Sequence, residues 1–350
     1  MSNELADTVG QLVEDGIAER MFPGAVVRVS RGGEVVCHEV FGRTRYEAGS
    51  RSVQRDDLFD LASLTKLFTT TVVLRLAERG VLDLDDPVRV HVPEVAGDWT
   101  VEDLLAHRTG TTAGLLGHAV RCGVRPCEAA QEDALWSAIF GCGGEVPLAE
   151  GECHYSDIDL LLAQAVCERA TGLGLAELVR REVTEPLGLH ATGFCPPDPS
   201  RCVPTEFDER WRRRLVVGEV HDEMAHTLGG VAGHAGLFAT AADVGRFGEA
   251  WLGVGAVPVL SDDMRHRAFR PHSARFGLGW VVCNAASTFP SLEPYGAVGH
   301  LGFTGTSVHL FPSSGAVLVV LTNRVYPHRD AAPSRLPLLR RLADLVACGV

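Results

Sequence analysis

Residues 4–20 place Leu5, Val9, Leu12, Val13 and Ile17 at helical spacing, which predicts an amphipathic first helix. The period then drops to two. Ala25-Val26-Val27-Arg28-Val29 and Val35-Val36-Cys37-His38-Glu39-Val40 flank Arg31-Gly32-Gly33, the pattern of a β-hairpin. From Ser63 to Arg79 there is neither Gly nor Pro, and Gly80 follows where helices commonly stop, so a helix of about four or five turns is predicted. Between about 80 and 270, helical stretches such as 157–171 and 174–182 are separated by Gly- and Pro-rich loops. Alternation returns in Thr306–Phe311 and Ala316–Leu321 around Pro312-Ser313-Ser314-Gly315, a second hairpin. A closing helix over 334–347 carries Leu336, Leu338, Leu339, Leu342 and Leu345.

Strands and helices at both chain ends around a helical insert predict an α/β (α+β) fold. Residues 1–60 and 270–350 form an antiparallel sheet flanked by terminal helices, and 61–269 form a mainly helical lobe. No internal repeat or low-complexity segment divides the chain, which reads as a single compact unit of 350 residues.

Composition narrows the function classes. Apolar residues make up 46% and charged residues 22%, and no run approaches the ~18 apolar residues of a membrane helix. The acidic start Met1-Ser2-Asn3-Glu4 lacks the basic and apolar stretches of a secretory signal, so a cytoplasmic location is expected. A net charge of −13 disfavours nucleic acid as a partner. Ten cysteines scattered singly from Cys37 to Cys348 read as reduced, mostly buried thiols. Cys122 and Cys127 with His118 are half of a metal site at best, because no second ligand pair follows at zinc-like spacing. His221-Asp222-Glu223 and His234 read as satisfied loop residues, and Arg212-Arg213-Arg214 as a solvated patch. No metal and no cofactor are expected.

The basic set holds the most informative feature: 31 arginines and one lysine, Lys66. Arginine replaces lysine wherever only charge is needed, but it cannot lose its proton and so cannot act as a base. The single titratable amine lies three residues after Ser63, and at the start of a helix that spacing puts hydroxyl and amine on one face. A serine is a weak nucleophile until a neighbouring base takes its proton, and a desolvated lysine can do so. The helix N-terminus adds N–H groups suited to an oxyanion. Read separately, Tyr155-Ser156-Asp157 is a helix cap and His300-Leu301-Gly302-Phe303-Thr304-Gly305 a glycine-rich turn entering the second hairpin.

In this order the three segments resemble the signature of the serine β-lactamase and penicillin-binding superfamily: S-x-x-K, then Y-x-N, then K-T-G or H-x-G. Trp99–Gly110 is similar to that family's TVxDLLxHxSG segment and Gly236–Asp243 to its GGLxSTAxDL segment, so the resemblance runs from about residue 20 to 325. It implies a β-lactamase/transpeptidase-like fold, with Ser63 as acylated nucleophile, Lys66 as its base and Tyr155 as proton shuttle to the leaving group. It further implies an oxyanion hole from the N–H groups of Ser63 and Phe303, next to Gly302, with His300 bonding near Tyr155 or the substrate. Two positions depart from the pattern. Asp157 replaces the usual Asn and adds a negative charge that tends to keep Lys66 protonated, and His300 replaces the lysine that helps bind a β-lactam carboxylate.

The function expected from this resemblance is hydrolysis of an ester or amide in a small molecule or short peptide through acyl-Ser63, of class C β-lactamase-like esterase or D-peptidase type. An acyltransferase or amide-forming enzyme of secondary metabolism would use the same residues, and β-lactamase activity is a further alternative. A non-catalytic homologue is disfavoured because Ser63, Lys66 and Tyr155 are all present. Specificity is expected in loops about 110–150 and 195–235, which carry no readable code.

Overall fold

The computed structural model describes residues 2–112, 114–330 and 332–349. Its main sheet has six antiparallel strands in the order Glu34–Gly42, Gly24–Arg31, Ala316–Thr322, Ser307–Phe311, Val298–Leu301, Val281–Val282. The first hairpin joins the last strand in the register Ala25↔Thr322 to Arg31↔Ala316, so the two chain ends share the centre of the sheet.

Period-two alternation in these strands sorts side chains between two cores. Val26, Val317, Val319 and Leu321 face the large core of the helical region, whereas Ala25, Val27, Leu318 and Val320 face the terminal helices Ser2–Ala18 and Leu336–Ala347. Each fully buried Val or Leu contributes roughly 1.5–3 kcal/mol, and a one-residue slip would exchange the two sets, so burial on both faces fixes the register.

On the inner face the helix Ala241–Leu252 lies close to the strands. A Cβ on Gly245 would come within 2.0 Å of the Arg28 guanidinium, and one on Gly248 within 2.8 Å of Val317. These glycines admit the buried Arg28–Glu249 ion pair, 2.7 Å long, between sheet and helix. Next to this layer, the helix Thr65–Glu78 is buried along nearly its whole length. Its ring Phe68 stacks on Phe247 at 4.1 Å, and Thr69 donates to the Gly233 carbonyl at 2.8 Å, which allows a polar residue inside the core.

Several expected elements change in detail. A single turn of 3-10 helix, Ala62–Leu64, precedes the α-helix and contains Ser63. His300 lies in a strand of its own, Val298–Leu301, paired Val308↔His300, and not in the turn entering the hairpin. The middle of the chain also holds strands of two or three residues: Phe59–Asp60, Gly193–Phe194 and Leu237–Ala239 in one sheet, Phe207–Asp208 and Arg214–Leu215 in another. Such lengths are too short for alternation to register in a sequence. The ten cysteines are free thiols, of which Cys122, Cys195 and Cys348 are exposed. Arg212 departs from a solvated patch: its side chain is 3% exposed, paired with Asp208 at 2.7 Å and donating to the Val220 carbonyl. Among the described residues no helix is long and apolar enough to cross a membrane.

Candidate active site

Ser63 owes its position to the turn before the helix. Ala62 has φ +47, a left-handed conformation uncommon for a residue with a side chain. Asp60 holds it there, its carboxylate accepting from the Ala62 N–H at 2.8 Å and from the His221 N–H at 2.6 Å. Asp60 belongs to a strand that pairs with Leu237–Ala239, and Thr240 then caps the helix Ala241–Leu252 by accepting from the Asp243 N–H at 3.2 Å. The GLFATAAD segment thus supports the serine turn from behind.

One helical turn on, Lys66 is 1% exposed. Its amine donates to Ser63 Oγ at 3.0 Å and to the His234 carbonyl at 3.1 Å, and pairs with Asp157 Oδ1 at 2.7 Å. Three oxygen acceptors match the three N–H bonds of an ammonium. Burial opposes the charge, but the Asp157 carboxylate and the Tyr155 oxygen outweigh it and hold the Lys66 pKa above its ordinary value. The Tyr155 ring lies 5.0 Å from the Lys66 amine; burial raises the Tyr155 pKa and keeps it a phenol, while Lys66 pulls the other way.

Asp157 is the first residue of the helix Asp157–Thr171, which Ser156 caps by accepting from the Ile158 N–H at 3.2 Å. Ser156 thus serves as the helix cap, while the neighbouring Tyr155 and Asp157 side chains stand beside Lys66. Two residues on, Asp159 is fully buried and accepts from Thr109 at 2.6 Å and Thr111 at 2.8 Å while pairing with His107 Nδ1 at 2.8 Å. The His107 ring lies 4.8 Å from that of Tyr155, and Phe276 stacks on Tyr155 from 6.0 Å. His107, Asp159 and Phe276 orient the tyrosine and were not singled out in the sequence. The available signal was His107 in the TVEDLLAHRTG segment, where its φ of +54 turns the chain toward the tyrosine.

His300 reaches the site from the sheet side, its ring 6.1 Å from Tyr155. Its Nδ1 sits 3.0 Å from the Leu301 carbonyl, which can only accept, so Nδ1 carries the hydrogen and Nε2 presents a lone pair. Nε2 is buried and takes no partner among the described residues. Burial, aided by the Lys66 charge, lowers the His300 pKa to about 3, so the ring is neutral. Gly302 follows, and a Cβ there would come within 2.0 Å of Thr306 Oγ1 and 2.5 Å of the Leu61 carbonyl. Only glycine lets this turn close on the serine turn, which brings Phe303 to the same cleft as Ser63.

That cleft, about 680 Å³, is lined by Ser63, Tyr155, His300, Gly302 and Phe303 and extends past Phe276 and Phe289 to Arg275, Arg324 and Arg335. No carboxylate is among its lining residues in the described part of the chain. The His221 and His234 group does not converge on one point: His221 pairs with Glu206 at 2.7 Å, His234 with Asp222 at 3.0 Å, and Glu223 with Arg329 at 2.8 Å.

A family model described as Beta-lactamase matches residues 9–340. An Escherichia coli (strain K12) protein named "Putative D-alanyl-D-alanine carboxypeptidase" is 29% identical over 375 aligned positions, covering 96% of this chain and 85% of that protein. An N-acetylmuramyl-L-alanine amidase of Bacillus subtilis (strain 168) is 29% identical, covering 90% and 80%. Among solved structures, "EstCE1, a hydrolase with promiscuous acyltransferase activity" superposes with a TM-score of 0.80 at 22% identity over 99% of both chains. The sequence signature, the antiparallel sheet with its helical region and the match over nearly the whole length agree: this chain belongs to the β-lactamase family.

Proposed function

We infer that the protein is a serine acyl hydrolase acting on esters or amides of small molecules or short peptides, and that the sheet built from both chain ends and the helical region between them enclose its cleft. The observation that carries this reading is the only lysine, Lys66, 3.0 Å from Ser63 and paired with Asp157 at 2.7 Å, behind an apolar cleft that Ser63 and Tyr155 line. Ser63 Oγ attacks the acyl carbonyl, and its proton passes to Lys66 as a Lys66 proton shifts to Asp157 across 2.7 Å. Tyr155 donates a proton to the departing alcohol or amine, replenished from Lys66. Water then cleaves acyl-Ser63, and the same relay returns the proton to the serine. The N–H groups of Ser63 and Phe303 hold the oxyanion, and loss of one such donor typically costs about 3 kcal/mol of barrier. His300, neutral and with Nε2 unpartnered among the described residues, offers an acceptor for a substrate N–H.

Arginines without a lining carboxylate favour neutral or anionic substrates over cationic ones. The relatives' names span peptidase, amidase and an esterase with acyltransferase activity, and transfer to an alcohol or amine in place of water is the second reading, supported by the apolar lining of Phe276, Leu301 and Phe289. With His300 at the position of the β-lactam-binding lysine, antibiotic hydrolysis is the weaker alternative.

The test joins labelling to turnover. A fluorophosphonate should label Ser63, and Lys66→Arg, which keeps the charge and removes proton acceptance, should abolish turnover of p-nitrophenyl butyrate in a folded protein. Near-normal turnover by Lys66→Arg would remove Lys66 from the mechanism. Nitrocefin cleaved tenfold faster than the ester, about 1.4 kcal/mol in barrier, would replace the esterase reading by the β-lactamase one.

A further inference from the structure

We propose that His118, Cys142 and Glu145 form a zinc site in the helical region, apart from the Ser63 cleft, which none of the three lines. His118 belongs to the helix Leu115–Arg121, while Cys142 and Glu145 belong to the loop after the helix Glu132–Phe140. One ligand atom from each lies within 4.8 Å of the others. His118 Nδ1 is 3.4 Å from Glu145 Oε1, and Cys142 Sγ is 3.9 Å from the same oxygen. Bonds of about 2.0 Å to nitrogen and oxygen and about 2.3 Å to sulfur give tetrahedral edges of roughly 3.3–3.6 Å, so the trio needs only small side-chain movements to close on an ion.

Hydrogen bonding points the same way. His118 Nε2 is 2.9 Å from the Ala138 carbonyl, and a carbonyl can only accept, so in the neutral ring Nε2 carries the hydrogen. Nδ1 then directs a lone pair at the Glu145 carboxylate, with a buried sulfur beside them. A cation held between them, bonded to both, would satisfy two acceptors that face each other at 3.4 Å, as a proton shared between them also would. An imidazole fixed by a backbone carbonyl on its other nitrogen is the usual form of a metal-ligating histidine. Imidazole, thiolate and carboxylate together suit Zn²⁺ over the oxygen-preferring Mg²⁺ or Ca²⁺. Zinc replaces the Cys142 thiol proton, releasing one H⁺ per ion bound, and water completes the fourth position. Cys122, one turn beyond His118, lies 3.8 Å from its Nε2, on the side away from the ion.

The position gives the ion a structural role. The Thr112 backbone lies beside the Cys142 thiol, and the Thr112 carbonyl accepts from Ser156 Oγ at 2.7 Å. Zinc on Cys142 would therefore brace the segment that supports the cap of the helix bearing Asp157, directly after Tyr155.

The full-length protein, stripped with chelator, is titrated with Zn²⁺ against a chromophoric competitor and separately with Co²⁺. One equivalent of zinc and the intense visible bands of tetrahedral cobalt with a thiolate charge-transfer band are expected. Cys142→Ser should remove the charge-transfer band, and Cys127→Ser, a cysteine outside the trio, should leave it. Glu145→Gln alters an exposed carboxylate that the fold does not require, and should weaken zinc at least tenfold and abolish the zinc-induced rise in melting temperature. Octahedral cobalt, no stoichiometric zinc, or a charge-transfer band that survives in folded Cys142→Ser would overturn the site. Acyl transfer by Ser63 is read separately by fluorophosphonate labelling, so either reading can fail alone.

Discussion

Replacing Asp157 by Asn separates two ways in which Lys66 could serve as a base. At 2.7 Å and an effective dielectric near 20, the Lys66–Asp157 attraction is roughly 6 kcal/mol before the desolvation of both ions is subtracted. With Lys66 1% exposed and Asp157 partly exposed, this attraction is what keeps the lysine charged in spite of its burial. In the relay inferred here one proton is shared by the pair, so the amine becomes basic whenever the carboxylate takes that proton, and an acidic medium is tolerated. Asn preserves the shape but cannot take the proton. The buried amine must then lose its proton to solvent before each acylation, even though its pKa falls once the carboxylate is gone. The expected result is a loss of about 10- to 100-fold in kcat/KM at pH 7, because each pH unit below the amine's pKa costs tenfold, with recovery toward wild type as the pH rises. The assay is kcat/KM for p-nitrophenyl butyrate across pH 6 to 10, corrected for spontaneous hydrolysis. If Asp157 only suppresses Lys66, the acid limb moves to lower pH in Asp157→Asn and activity at pH 7 rises. That outcome would refute the relay.

His300→Ala should lower kcat by about 10- to 1000-fold without reaching the floor set by Ser63→Ala, as for a positioning acceptor, and equal loss in both variants would demand a Ser–His mechanism. His300 and His309 are both buried with pKa lowered to about 3 by burial, against about 6.5 in an unfolded chain, so the unfolded state binds more protons below pH 6.5. Their contribution is intact above that value and is lost as the pH falls toward 3; between pH 6.5 and 5 the unfolding free energy should drop by about 3 kcal/mol, measured in urea, and by about half as much in His309→Leu. An unchanged slope in His309→Leu would show that His309 does not remain neutral in the fold.

What the sequence by itself determined was whatever depends on neighbours along the chain. The helix after Ser63, the two hairpins and the terminal helices follow from periodicity and from the glycines that end each run. Ser63 and Lys66 are three residues apart, so one turn of helix was enough to pair them. The single lysine among 31 arginines marked the basic residue expected to titrate. Asp157 was readable as a charge near Lys66, but its 2.7 Å contact required the helix Asp157–Thr171 to begin against the turn at Ser63. The support of Tyr155 by His107, Asp159 and Phe276 joins residues up to 169 positions apart, and the strand that carries His300 is recognisable only through its pairing with Ser307–Phe311. His118 and Cys142 are likewise 24 residues apart, beyond the spacing at which a metal motif stands out, and a loop returning past a short helix brings them together. Local periodicity encodes elements because backbone geometry repeats every few residues. Convergence of polar side chains at one point depends on how two separate cores pack on either side of the sheet, and only the tertiary structure decided it.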